Sequence, residues 1–111
     1  KHYTPLLEKL ARQDDHKPYL AVAQRAWGII HRLANQHSKA EACLQEALGL
    51  FTNLDAHWQI GRTLIEIAEL DLAQSDLTGA RENFSQALTE FEAMKATPDI
   101  QRTRAALELL E

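Results

Sequence analysis

The sequence predicts an all-α fold made of repeated helical hairpins, and three observations carry that prediction. The chain has 111 residues but only four Gly and three Pro, too few breakers for a loop-rich or β-rich domain, whereas the helix formers Ala, Leu, Glu and Gln abound. Its apolar residues, 45% of the total, recur three and four positions apart, the period of an amphipathic helix. One pattern is also written twice: KAEACLQEALGLF over residues 39–51 and GARENFSQALTEF over residues 79–91.

The elements follow in order. Tyr3, Leu6, Leu7 and Leu10 share the spacing of Leu44, Ala47, Leu48 and Phe51, so residues 4–13 are expected to be the tail of a second helix. Asp14, Asp15 and Pro18 mark the start of a helix over 18–35, with Val22, Ala23, Ala26, Trp27, Ile29, Ile30 and Ala34 as its apolar set. Ser38 and Glu41 form a capping box for a helix over 38–54. Its face is Ala40, Leu44, Ala47, Leu48, Phe51 and Leu54. Ala80, Phe84, Ala87, Leu88, Phe91 and Met94 repeat that face in a helix over 78–96 that starts at Thr78.

Between these two, Asp55 is expected to cap a helix over 56–75 that carries Ile60, Gly61, Leu64, Ile65, Ile67, Ala68 and Leu72. At an offset of 38, which sets Ile60 on Val22, that group falls onto the 18–35 helix without placing Gln24 and His31 in the core. The same offset predicts a longer turn in AQSDLTGA than in NQHSKA. Thr97 and Pro98 then open a helix over 98–110, whose Ile100, Thr103, Ala106, Leu107, Leu109 and Leu110 match the preceding first helix at an offset of 42. About six helices result. They form one array: 1–13 a trailing second helix, 18–54 repeat one, 56–96 repeat two, and 98–111 a half repeat or cap. The stripe on the last helix has no following partner, which predicts self-association through uncovered ends.

Charge and cysteine usage limit the functional classes. The net charge of −4 argues against a general nucleic-acid binder, although residues 1–39 carry seven Lys/Arg and three Asp/Glu and residues 40–111 carry five and thirteen. A single Cys43 excludes an internal disulfide and suits a reducing, cytoplasmic setting. No apolar run reaches the roughly 18 to 20 residues of a membrane span, and KHYTPLLEKL lacks a signal-peptide core, so a soluble protein without membrane contact is expected.

No catalytic constellation is visible, and no cofactor is implied. His2, His16, His31, His37 and His57 include no metal-binding helix pair, and Gly28, Gly49, Gly61 and Gly79 make no phosphate loop. A non-enzymatic module without metal is the expectation. Trp27 and Trp58 fall at apolar repeat positions and are expected to pack rather than to stack on ligands.

Leu64, Ile67 and Ala68, followed by Ser75-Asp76 and then Ala80, Phe84 and Ala87, resemble a tetratricopeptide repeat, and Ala40, Leu44 and Ala47 resemble its second half. Asp71 departs from that pattern, since the family usually has a tyrosine there, and the repeat of about 40 residues exceeds the common 34. The resemblance implies hairpins stacked as a right-handed solenoid whose first helices line a concave groove. Longer repeats of this style resemble those beside ATPase domains in bacterial regulators of the maltose-activator type and in cyclase-linked signalling proteins. It therefore implies a scaffold that binds a protein or peptide, the alternatives being a small-ligand sensor relaying to an attached ATPase, cyclase or DNA-binding domain, or a self-association module. On that basis the groove is expected to contain Gln24, Arg25, His31, Arg62, Thr63, Glu66, Glu69 and Arg104. The rows run Gln24–Arg62–Arg104, Gly28–Glu66–Glu108 and His31–Glu69–Glu111.

Overall fold

The computed structural model describes residues 17–110. Among them lie five α-helices and no strand: α1 (Lys17–Leu33), α2 (His37–Asn53), α3 (His57–Ala73), α4 (Leu77–Ala93) and α5 (Thr97–Leu109). The helix expected over residues 4–13 lies outside the described residues. The first four helices are each 17 residues long, and the same short turn separates each helix from the next. Helix starts are therefore evenly spaced, at Lys17, His37, His57, Leu77 and Thr97.

The turns explain that even spacing. Each passes through one residue in the left-handed region: Asn35 (φ 59°), Asp55 (φ 52°), Ser75 (φ 61°) and Lys95 (φ 57°). At the end of α1, the Asn35 and Gln36 amides donate to the carbonyls of Arg32 and His31 at 3.0 and 2.8 Å. Ser75 and Asp76 repeat the arrangement on Leu72 and Asp71, and Lys95 and Ala96 repeat it on Glu92 and Phe91. These paired bonds satisfy the last carbonyls of the three helices and reverse the chain within a single tight turn. The step from Lys17 to His57 equals that from His57 to Thr97, so the unequal offsets of 38 and 42 do not hold. The AQSDLTGA turn is likewise no longer than that in NQHSKA.

The helix starts also shift from expectation. Asp76, not Thr78, caps α4, its carboxylate accepting from the Gly79 amide at 3.0 Å. The capping position of α2 falls to Gln36, which makes no side-chain cap, so the Ser38 box does not form. Asp55 ends α2 in the left-handed conformation, and the capping position of α3 falls to Ala56.

The chain divides into two compact units, Lys1–Asp55 and Ala56–Glu111. In the first, α1 packs on α2; Leu20, Ala21 and Ala23 are buried on α1, and Ala40, Leu44, Ala47 and Phe51 on α2. Gly28 sets their approach, because a Cβ there would lie 2.5 Å from Leu44 Cγ.

In the second unit α3 packs on α4 and α4 on α5. Ala68, Ala80 and Phe84 form a buried cluster, against which Ile65, Leu72, Ala106, Leu107 and Leu110 pack. Burial of a side chain the size of Phe84 contributes about 1.5–3 kcal/mol. The stripe on the last helix is thus largely covered within its own unit, contrary to expectation, and Leu109 is the member left outside at 86% exposure. The nine residues of the expected structural motif, Ala40, Leu44, Ala47, Leu64, Ile67, Ala68, Ala80, Phe84 and Ala87, are all buried.

Candidate binding surface on the first helices

The even spacing of the helices reassigns the polar positions. With Lys17, His57 and Thr97 equivalent, Gln24 matches Leu64 and Arg104, whereas Arg62 matches Val22 and Arg102. The expected polar rows had shifted α3 by two positions, which separates their members. Gln24 is 5% exposed, as buried as Leu64 at 4%. Thr63 is fully buried, its hydroxyl donating to the Gln59 carbonyl at 2.8 Å. Thr103 does the same to Asp99 at 2.7 Å, and Ala23 holds the matching buried place in α1. Back-bonding of this kind allows a hydroxyl to occupy a small apolar site.

Of the remaining expected residues, Glu66 is buried at 7% exposure and the others stay at least partly accessible. In the first unit, Arg25 lies with its guanidinium 5.1 Å from the Phe51 ring centroid, a cation–π contact between α1 and α2. His31 stacks on Trp27 at 5.4 Å and pairs through Nδ1 with Gln36 Oε1 at 2.8 Å.

In the second unit, Arg62 and Glu66 form an ion pair one turn apart on α3, with the Glu66 carboxylate nearly buried and the Arg62 guanidinium half out. Glu69 is half-buried on the same helix. An exposed pair at this spacing contributes about 0.2–0.5 kcal/mol, and burial of the carboxylate carries a desolvation cost against it. Arg104 points elsewhere, to Glu92 of α4 at 2.8 Å.

Two further groups belong to the same surface: Trp58, which the sequence reading placed in the packing but which is 38% exposed, and Arg102, which that reading left out. The Trp58 indole, on the exposed side of α3, donates to Asp99 of α5 at 3.0 Å. Arg102, the true counterpart of Arg62, pairs with Asp99 from the other side at 3.2 Å. Trp58, Asp99 and Arg102 thus join the N-terminal ends of α3 and α5. The signal that identifies them is the even spacing of the turns, which places Arg62 and Arg102 in one column. The opposite tie comes from Arg81 of α4, which donates to the Leu110 carbonyl at 3.0 Å and closes the end of α5.

Among the described residues no group of three or more His, Cys, Asp or Glu could hold a metal ion. None of their helices is long and apolar enough to cross a membrane. Compared with known proteins, the chain matches no family model, no curated protein and no solved structure. The fold and surface define a class, an all-α protein of regularly repeated helical hairpins.

Proposed function

We propose that this chain is a non-enzymatic, tetratricopeptide-like scaffold module of a larger protein, and that it binds a protein or peptide segment through the face of its first helices. The observation that carries the reading is the Arg62–Glu66 pair beside Glu69. A helix with only a packing role would place aliphatic side chains at a nearly buried site such as Glu66, whereas α3 keeps a carboxylate there and holds it with a half-exposed guanidinium. Such a pair supplies a donor fork and an acceptor to an extended segment laid across the helix.

Selection of peptides from a random display library on the folded chain tests this. Selected binders should lose at least tenfold in affinity to a variant carrying Arg62→Ala, Glu66→Ala and Glu69→Ala, which removes both members of the ion pair and leaves no unpaired buried carboxylate, with its circular dichroism spectrum still fully helical; about 1.4 kcal/mol corresponds to that factor. Binders that keep full affinity for the variant would place recognition on another face.

A further inference from the structure

We propose that the α3–α4 hairpin carries a helix-binding face that α5 occupies and can vacate, and that an amphipathic helix of a partner protein takes its place there. Ala68, Ala80 and Phe84 form the buried floor of that face, and Ala106, Leu107 and Leu110 of α5 pack on it beside Ile65 and Leu72. The contact is apolar throughout, the chemistry by which a groove receives a helix. It lies round α3 from Arg62 and Glu69, so it is a second surface and not part of the polar one.

α5 fills this face incompletely. Of its 13 residues only Thr103 is buried, and Ile100, Leu107 and Leu110 remain partly exposed. Its polar ties to the hairpin lie at the surface: Trp58 to Asp99, Arg104 to Glu92, and Arg81 to the Leu110 carbonyl. The Arg104 and Glu92 side chains are 59% and 44% exposed, and a pair so hydrated shifts the balance by about fivefold at most. The joint favours release as well. Lys95 holds a left-handed backbone (φ 57°), which a side-chain-bearing residue disfavours by about five- to thirtyfold, and Ala96 gives the start of α5 no side-chain cap.

α3 shows which helix the face accepts. It repeats the inward set of α5, with Ile60, Thr63, Ile67 and Leu70 standing for Ile100, Thr103, Leu107 and Leu110. The partner is therefore a helix with aliphatic side chains at a first, eighth and eleventh position and a small one at the fourth. The tether keeps α5 at high local concentration, so the apparent affinity of a partner is its intrinsic affinity scaled by the fraction of open molecules.

Amide hydrogen exchange on the whole chain, alone and with a synthetic peptide of residues 57–73, tests this. Without peptide, amides in the middle of α5 are expected to be protected at least about tenfold less than those of α3 and α4. Saturating peptide should strip the remaining protection from α5 while α3 and α4 keep theirs, and a peptide carrying Ile67→Glu and Leu70→Glu should not bind. A chain with Arg81→Ala and Arg104→Ala should bind the peptide more tightly, by the same factor by which its α5 protection falls. Equal protection in all three helices would overturn the proposal, because α5 would then open only with the whole unit. A peptide that fails to bind, or that binds and leaves α5 protected, would overturn it too.

Discussion

At the residue scale, the glycines separate two opposing effects that sequence statistics combine. Gly28, Gly49 and Gly61 all sit inside helices, where alanine is favoured by about 1 kcal/mol. A Cβ at Gly49 meets nothing within 4 Å, so Gly49→Ala should stabilise the protein by up to about 1 kcal/mol. A Cβ at Gly28 would press on fully buried Leu44, and one at Gly61 would lie 2.7 Å from Phe91 Cε1. Overpacking costs about 1–3 kcal/mol and outweighs the propensity gain, so both variants should unfold at lower urea with an unchanged slope. A second contrast lies in the turns. Lys95 holds a left-handed conformation that costs a side-chain-bearing residue about 1–2 kcal/mol, more than the roughly 0.5–1 kcal/mol of chain entropy that glycine adds. Lys95→Gly should therefore raise the melting temperature by a few degrees, whereas Asn35→Gly should change it less, because asparagine tolerates that region.

At the element scale, α5 changes what a mutation on its stripe means. With Leu107 and Leu110 free to the solvent, replacing them by Glu would dissolve an assembly and leave the fold intact. In the structure both pack against the cluster of Ala68, Ala80 and Phe84. Leu107→Glu and Leu110→Glu should each destabilise the second unit by about 2–4 kcal/mol, through lost burial and a desolvated carboxylate. The loss should be the same at low and high protein concentration; a melting temperature that shifts only at high concentration would point instead to an interface between copies. Elsewhere α5 is polar where α3 is apolar, with Gln101, Arg104 and Glu108 at the positions of Gly61, Leu64 and Ala68, the surface through which α3 meets α4. α5 therefore packs through one side and offers a hydrated side to the solvent, as the outer helix of a repeat does.

For the molecule as a whole, the period itself can be tested. α5 uses Ile100, Thr103, Leu107 and Leu110 on its inward side, and α3 carries Ile60, Thr63, Ile67 and Leu70 at the equivalent positions. A second copy of the segment from His57 to Ala96 inserted after Ala96 would present Ile60, Thr63, Ile67 and Leu70 to the same α3–α4 pair, with Glu66 in the place of Ala106. The lengthened protein should keep its helicity per residue and melt at a higher temperature, as added units do in helical arrays. Shortening the inserted copy by two positions, which brings back the offset of 38, should abolish that gain, because every side chain beyond the deletion rotates away from its neighbours.

The sequence by itself determined the all-α class, the hairpin plan and the buried motif residues, because an apolar residue every three or four positions leaves a helix one face to bury. The second helices were the more legible, since Ala40, Leu44, Ala47 and Phe51 and their counterparts are buried in both copies, although Leu54 and Met94 of the expected face fall just past the helix ends and are exposed. The first helices were not. A polar Gln24 at a core position made an offset of 38 look better than an even one, and only the tertiary structure showed that a buried amide is tolerated there. Register is set by the turn, and the turn by backbone conformation: residues as different as Asn35, Asp55, Ser75 and Lys95 adopt the same left-handed geometry. The helix ends and close packing on either side impose that geometry, which Asn35 and Asp55 favour but Ser75 and Lys95 do not announce. The polar surface moved with the register, so which of its side chains are buried and which reach the solvent was decided by packing alone.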